Sequence, residues 1–133
     1  MTVILCTDDR GGMLFNRRRV SRDATVYEDI LKMAGEKKIL IRSFSRELFP
    51  ENRITLCEEL LSAGESDDYC FVEDLDITPY LSGISRIILY RWGRTYPFDF
   101  AFDDSVLKVF SPVETEKIVG TSHPEITKEV YEK

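Results

Sequence analysis

The sequence is poor in the residues that build metal and disulfide sites. It contains three cysteines and one histidine among 133 residues, and no two cysteines stand in a Cys-x-x-Cys spacing. A disulfide framework and a cysteine-type zinc site are therefore not expected.

Long apolar runs are missing as well. No stretch approaches the roughly 20 apolar residues of a membrane-spanning helix, and residues 1–5 lack the basic segment of a secretory signal. We therefore expect a cytoplasmic protein without a membrane partner. The net charge of −6 argues against non-specific coating of nucleic acid. The length and a composition that is 43% hydrophobic and 32% charged predict one folded domain over residues 1–133.

Apolar runs alternate with helical periods along the first two thirds of the chain, which predicts an α/β fold. The runs are short and continuous, as in parallel strands that are buried on both faces. We therefore expect a three-layer, mainly parallel sheet with helices on both faces. Predicted strands cover residues 2–7, 38–41, 69–72 and 84–90, and predicted helices cover residues 22–34 (capped by Ser21), 44–49, 55–64 and 76–81.

The pattern changes after residue 97. Phenylalanines alternate with other residues over 98–102, and residues 106–110 form a second β-like run. A tight connection at 103–105 would then add a late antiparallel edge to the sheet. The tail is predicted to be helical, because Ser122-His123-Pro124-Glu125 combines a capping-box spacing with a proline in the first turn.

Positive charge is concentrated between the first strand and the first helix. Residues 10–22 contain five arginines and no acidic residue, although the whole chain is acidic. This position is the carboxyl edge of an open α/β sheet, where ligands bind, and two later strands also lead into arginines. Guanidinium groups donate paired hydrogen bonds to phosphate and carboxylate, so we expect an arginine-rich rim that binds an anion. The candidate residues are Arg10, Asn16, Arg17, Arg18, Arg19, Arg42, Ser43, Arg91, Trp92 and Arg94.

Two features of this rim have a second interpretation. The arginines would equally suit a solvated loop in which each pairs with a surface acid. Trp92 either stacks against a bound heterocycle between Arg91 and Arg94 or seals the end of the sheet.

Carboxylates also follow two of the predicted strands. Asp8 and Asp9 end the first strand, and Glu73 and Asp74 end a later one. If these strands are adjacent, one carboxylate of each pair would hold Mg²⁺ for phosphodiester hydrolysis. The alternative is that these acids pair with arginines or cap a helix, since consecutive strand residues point to opposite faces.

The single histidine is the remaining candidate for chemistry. His123 would act as a general acid or base with Ser122 as its partner. The alternative is that Ser122 caps the predicted tail helix and His123 is an accessible residue of its first turn.

Several segments resemble dihydrofolate reductase. The stretch Thr7-Asp8-Asp9-Arg10-Gly11-Gly12-Met13-Leu14-Phe15-Asn16, the helix after it and Ile39-Leu40-Ile41-Arg42-Ser43-Phe44-Ser45 resemble the first third of that enzyme. Residues 70–103 resemble its later strand–helix–strand unit and the edge segment that follows. The resemblance is one of pattern, and it implies a shortened member of the dihydrofolate-reductase-like fold.

Two departures from that enzyme concern function. Where the enzyme has a glycine pair for the cofactor pyrophosphate, this chain has Val72-Glu73-Asp74, and carboxylates repel an anion. The position of the pterin-binding acid falls at Val26, with Asp23 and Glu28 only as neighbours. The resemblance therefore implies the fold without reductase activity.

The chain also resembles a family of short bacterial proteins. The shared motifs read Cys6-Thr7-Asp8-Asp9-Arg10, Asn16-Arg17-Arg18 and Ser122-His123-Pro124-Glu125-Ile126-Thr127-Lys128-Glu129-Val130-Tyr131 here. Some members are labelled ribonuclease Z. A two-zinc hydrolase of that kind needs several histidine ligands, and one histidine cannot supply them.

Three functions stand as hypotheses. The leading one is a non-reductase binding or regulatory domain that holds an anionic ligand, of nucleotide or phosphate type, on its arginine rim without a cofactor. The first alternative is a Mg²⁺-dependent phosphodiesterase or nucleotide hydrolase. The second is a structural subunit of a larger complex, with the arginine loop as its docking surface.

Overall fold

The computed structural model describes residues 1–133 as ten strands, two α-helices and four 3₁₀ helices. The strands are β1 (Thr2–Thr7), β2 (Gly12–Phe15), β3 (Arg18–Arg19), β4 (Ile39–Ile41), β5 (Ile54–Leu56), β6 (Tyr69–Phe71), β7 (Arg86–Arg91), β8 (Phe100–Ala101), β9 (Ser111–Ile118) and β10 (Ile126–Glu132). The α-helices are α1 (Ala24–Ala34) and α2 (Leu60–Ala63), and the 3₁₀ helices span Ser43–Leu48, Glu51–Arg53, Thr78–Gly83 and Asp104–Val109.

Seven strands form one sheet in the order β5-β4-β6-β1-β7-β10-β9. The first five are parallel to one another, and β10 and β9 add an antiparallel edge beside β7. β1 lies in the middle, with Ile4 opposite Phe71 on one side and Ile88 on the other. Continuous apolar runs suit such a position because both faces of the strand are covered. The predicted mainly parallel α/β sheet with a late antiparallel edge is confirmed.

Each face of the sheet carries its own core. On one face, Ile4 and Ile88 pack against the buried side of α1, where Val26 and Ile30 are one helical turn apart. On the other face, residues such as Leu5 pack against α2 and the 3₁₀ helices. The alternation of β1 side chains between the two cores follows from the two-residue period of a strand, and it produces the three predicted layers.

The start of α1 differs from the prediction. Asp23, not Ser21, is the N-cap, and its side chain accepts a hydrogen bond from the Thr25 backbone N–H. Aspartate and serine are equally good N-cap residues. The helix begins after Asp23 because Asp23 also makes tertiary contacts, which cannot be predicted from sequence spacing.

The late part of the chain shows the largest differences. Residues 106–110 are not a strand, because Asp104–Val109 is a 3₁₀ helix that begins at an Asp103 cap; residues 103–105 are therefore not a hairpin connection. Of residues 98–102, only Phe100–Ala101 is a strand, and it pairs with β2 in a small sheet of order β3-β2-β8. The tail is a strand rather than a helix, because β10 pairs with both β7 and β9.

The helix predicted over residues 55–64 is shorter than expected. Thr55 and Leu56 belong to β5 and lie opposite Leu40 and Ile41, so only Leu60–Ala63 remains helical. Pairing with an exposed strand edge supplies hydrogen bonds that a short isolated helix would lack. None of the helices has the length and apolar character that a membrane crossing requires.

Candidate functional site

The carboxyl ends of β4, β6, β1 and β7 meet at one edge of the sheet, which is where open α/β sheets usually bind ligands. In this chain the space between the ends of β6, β1 and β7, the central crevice, is closed by the protein's own side chains. The remaining cavity has a volume of about 10 Å³, too small for a ligand. It is lined by Cys6, Met13, Arg19, Ser21, Glu73 and Trp92.

An ion pair between Arg19 and Glu73 fills much of the central crevice. The guanidinium donates to Glu73 Oε2 at 2.9 Å and Oε1 at 3.1 Å, and Ser45 Oγ donates to Oε1 at 2.7 Å. Arg19 also donates to the Phe44 carbonyl at 3.0 Å and pairs with Glu47. Burial alone would lower the pKa of Arg19, but the bonds to Glu73 and Glu47 outweigh it and raise that pKa. Arg19 is therefore neutralised inside the protein.

Two further arginines of the predicted rim are also engaged with acids. Arg42 Nε lies 3.1 Å from Asp74 Oδ1, and its guanidinium also faces Glu58. Arg91 Nε lies 3.2 Å from Glu129 Oε1. Arg42 and Arg91 therefore follow the second interpretation of the rim, in which arginines pair with acids that the fold brings close.

Among the exposed arginines, four form neither an ion pair nor a side-chain hydrogen bond: Arg17, Arg18, Arg22 and Arg94. Asn16 and Arg17 have positive φ angles of 50° and 64°, as a two-residue hairpin turn between β2 and β3 requires. Arg10 is exposed too, but its guanidinium lies over the Phe98 ring and donates to the Tyr96 carbonyl.

Two other members of the predicted rim have structural partners. Trp92 is only 1% exposed and packs on the His123 ring at 4.8 Å between centroids, so it seals the end of the sheet and is not available to stack on a surface ligand. Ser43 is exposed, and its backbone N–H donates to Glu58.

The four candidate metal-binding acids belong to separate hydrogen-bond networks. Asp8 is buried and accepts from the backbone N–H groups of Arg10, Gly12 and Tyr96 at 2.8–2.9 Å. Asp9 accepts from Gly93, while Glu73 and Asp74 bind Arg19 and Arg42. No cluster of three or more acids, histidines or cysteines with metal-binding geometry is formed. These contacts match the alternative interpretation of the four acids, since each of them holds a loop or an arginine.

His123 lies in a buried polar network rather than in an accessible helical turn. It is 3% exposed, and its Nδ1 lies 3.0 Å from Asp23 Oδ2. Its Nε2 lies 2.7 Å from Ser21 Oγ and 3.0 Å from the Tyr96 hydroxyl. Ser122, the predicted partner, lies instead at the Nδ1 side, 3.0 Å away.

Asp23 joins the N-terminus of α1 to the loop before β10. It accepts backbone hydrogen bonds from Thr25, Thr121, Ser122 and His123 at 2.8–3.2 Å. Burial alone would raise the pKa of Asp23, but the backbone donors and the imidazole outweigh it and hold that pKa well below its ordinary value. Asp23 is therefore an ionised, fully satisfied carboxylate.

An open groove runs along α1 next to this network. It has a volume of about 380 Å³, and it separates α1 from the 3₁₀ helix Ser43–Leu48 and the loop before β10. Its lining combines polar residues, among them the unpaired Arg22 and the exposed acid Glu28, with the apolar side chains of Tyr27, Leu31 and Leu48. The lining residues of this α1 groove are Arg22, Asp23, Ala24, Tyr27, Glu28, Leu31, Leu48, Pro50, Thr121 and Ser122.

Sequence reasoning missed the roles of Ser21, Asp23 and Tyr96. Sequence spacing predicts Ser21 as a helix cap and places Asp23 beside the pterin-acid position, whereas their shared partner His123 lies 100 or more residues further along the chain. The one available signal was the pairing of Asp23 with Thr25, a spacing at which the aspartate side chain accepts from the backbone two residues later.

Comparisons with known proteins address the fold. The chain is similar to the structure of dihydrofolate reductase from Enterococcus faecalis complexed with NADP(H) and RAB-propyl, with a TM-score of 0.69. The match covers 99% of this chain and 95% of that chain at 10% sequence identity. No protein-family model matches, and no curated protein matches significantly. The chain therefore has a dihydrofolate-reductase-like fold.

Proposed function

We propose that this chain is a non-reductase binding domain that takes a small anionic molecule with an apolar body into the α1 groove. The anionic group would lie at Arg22, and the apolar body against Tyr27, Leu31 and Leu48. The proposal keeps the anion-binding function expected from the arginine-rich segment but moves its centre from the carboxyl edge of the sheet to the flank of α1.

The observation that carries the proposal is the combination of an unpaired guanidinium with an apolar wall in one groove. Its volume of about 380 Å³ falls in the range of small-molecule sites, which are mostly apolar with a few polar groups that orient the ligand. The charge of Asp23 is compensated by its four backbone donors, so it opposes an anion less than a free carboxylate would.

Two other open cavities lack this combination. The cavity of about 480 Å³ beside Phe44 has one hydrophobic residue, and its Arg46 is already paired with Glu51. The cavity of about 350 Å³ beside Leu61 contains Arg42, which is engaged with Asp74 and Glu58. A ligand anion at either place would have to displace a carboxylate.

The state of the central crevice supports the absence of reductase activity. The solved reductase that this chain resembles is a complex with NADP(H). Here the equivalent edge of the sheet is filled by the Arg19–Glu73 pair and by Trp92, and Val26 stands where the pterin-binding acid would be expected. We expect no oxidation of NADPH in the presence of dihydrofolate, measured by absorbance against a dihydrofolate reductase as positive control.

A thermal-shift screen tests the binding proposal. The probes are nucleoside monophosphates, aromatic carboxylates and sugar phosphates, each with a neutral analogue of the same body. We expect stabilisation by one anionic probe, weak or no stabilisation by its neutral analogue, and loss of the effect in Arg22→Ala. Arg46→Ala is the matched control, because Arg46 is equally an exposed arginine but lies outside the groove and is paired.

Two results would overturn the proposal. One is the absence of stabilisation by every probe, and the other is equal stabilisation of Arg22→Ala and the wild type. The alternative of a Mg²⁺-dependent hydrolase finds no favouring observation, because the carboxylates it requires are committed to backbone N–H groups and arginines.

A further inference from the structure

An open cavity also lies at the amino ends of the parallel strands, at the edge of the sheet opposite the central crevice. It has a volume of about 510 Å³, within the range of small-molecule sites. One wall of this amino-edge cavity is a row of side chains from four neighbouring strands, each opposite the next in the strand register: Tyr69 on β6, Thr2 on β1, Arg86 on β7 and Glu132 on β10. Thr2 and Arg86 stand two residues before Ile4 and Ile88, so the row lies where the apolar core under α1 ends.

Arg86 differs from the other arginines that are half-buried. Four of them donate to carboxylates or to backbone carbonyls: Arg19, Arg42, Arg53 and Arg91. Arg86 is half-buried as well, but its Nε is buried without an acceptor, and the rest of its guanidinium forms no ion pair. A partly desolvated charge without a partner costs free energy, which an acceptor from outside the chain would recover.

The other charges of the amino-edge cavity indicate which acceptor fits. Cations outnumber acids in the lining, since Arg86, Lys37 and Lys133 stand against Asp67 and Glu132. Lys37 binds Asp67 at 3.3 Å, so that acid is already neutralised. Glu132 is exposed and stands opposite Arg86, but no ion pair joins the two. The unpaired charges therefore favour an anion, and a guanidinium with an ammonium group in the same cavity suits the oxygens of a phosphate.

We propose that the amino-edge cavity binds a phosphate group, free or carried by a small polar molecule, and that Arg86 is the residue that holds it. The planar guanidinium donates paired hydrogen bonds to two phosphate oxygens. Tyr69 is the one hydrophobic residue of the lining, so a polar body such as glycerol fits better than an apolar one. The amino-edge cavity shares no lining residue with the α1 groove, and this proposal does not rest on the proposed function.

Calorimetric titration with inorganic phosphate and with glycerol 3-phosphate, at an ionic strength held constant with chloride, tests the site. We expect binding of at least one of the two, no binding of glycerol, and affinity at least about tenfold weaker in Arg86→Gln, with Arg86→Lys between them because it keeps the charge but loses the fork. Arg22→Ala is the matched control, since it removes an unpaired arginine of the α1 groove and should leave the affinity unchanged. Arg86 makes no bond within the chain, so Arg86→Gln should unfold at the same temperature as the wild type without phosphate.

The two phosphate probes distinguish the source of the group. Tighter binding of glycerol 3-phosphate would identify a phosphate monoester as the ligand, and tighter binding of inorganic phosphate would identify the free ion. Both results support Arg86 as the phosphate-binding residue. Absence of binding by either probe, or equal affinity of Arg86→Gln and the wild type, would overturn the proposal.

Glu132→Gln separates a ligand site from an internal ion pair. If Arg86 is free for a ligand, removal of the opposing carboxylate should tighten phosphate binding severalfold and leave stability unchanged. If Glu132 is instead the partner of Arg86 in solution, Glu132→Gln should destabilise the wild type but not the Arg86→Gln variant, as a double-mutant cycle of unfolding would show. That second result would overturn the proposal.

The Nε–H group of Arg86 gives a direct readout in the wild type. Its proton–nitrogen NMR signal, assigned by its absence from Arg86→Gln, should move when phosphate is added and not when chloride is added. A signal that stays in place at saturating phosphate would contradict binding at Arg86.

Discussion

At the scale of single residues, Asp23 connects two segments that are far apart in the chain. Its carboxylate holds the first turn of α1 and three consecutive N–H groups of the loop before β10. Gly120 belongs to the same arrangement, because a Cβ at that position would lie 2.5 Å from Asp23 Oδ2.

The lowered pKa of Asp23 predicts a pH-dependent contribution to stability. A carboxyl whose folded-state pKa is below its unfolded value stabilises the fold above the unfolded value, about 4, and loses this contribution as pH falls towards the folded value. Asp23→Asn should lower the free energy of unfolding by about 2 kcal/mol at pH 7, and the difference should shrink below pH 4. Urea denaturation at several pH values measures this.

Asp103→Asn is the control for Asp23→Asn. Asp103 also accepts from a backbone N–H two residues later, but it is exposed and binds no distant segment. A larger loss for Asp103→Asn than for Asp23→Asn, or a difference that grows in acid, would contradict the assignment.

Glu73 supports a second prediction at this scale. Its removal would leave the guanidinium of Arg19 in the central crevice with only Glu47 and a carbonyl as partners. Breaking one side of a buried pair costs about 3 kcal/mol, while an exposed pair contributes under about 1 kcal/mol. Glu73→Ala should therefore cost several times more stability than Glu51→Ala, whose partner Arg46 is exposed. Equal losses in chemical denaturation would show that the crevice is not held closed by this pair.

At the scale of elements, α1 and four of the five parallel strands could be predicted because each carries a local signal, whereas the sequence pattern predicts β5 as the start of a helix. β1 is a continuous apolar run, and α1 repeats its buried residues at helical spacing. The tail could not be predicted in the same way. Ile126 and Val130 are four residues apart, as on a helix, and Ser122 and Pro124 resemble a helix start. The tail is a strand because it pairs with β7 and β9, and this long-range pairing cannot be predicted from a local sequence pattern.

The strand assignment of the tail leads to a packing prediction. Val130 on β10 is buried in the core that faces α1, whereas Val113 on the neighbouring edge strand β9 is exposed. Val130→Ala should cost about 2 kcal/mol, and Val113→Ala should cost almost nothing, because only the first creates a cavity. Thermal unfolding of the two variants measures the difference. Similar midpoints would contradict the burial of β10.

At the scale of the whole molecule, the fold and the site differ in how far sequence predicts them. The mainly parallel α/β sheet follows from the order of apolar runs, and the resemblance to dihydrofolate reductase implies that enzyme's fold even at 10% identity to the solved reductase. The candidate site depends on which arginines form ion pairs with acids. Such pairs join residues as far apart in the sequence as Arg19 and Glu73. A cluster of arginines in sequence therefore indicates positive charge but not whether that charge is free in the folded protein.

We propose that this fold has closed its central crevice and binds its ligand in the α1 groove. Amide chemical-shift mapping by NMR, during titration with the best anionic probe from the thermal screen, locates the ligand. If the ligand lies in the α1 groove, the largest shifts fall on residues 22–31, 48–50 and 121–122. Largest shifts on residues 6, 72–74 and 92 would mean that the crevice opens to take the ligand, and would contradict the claim.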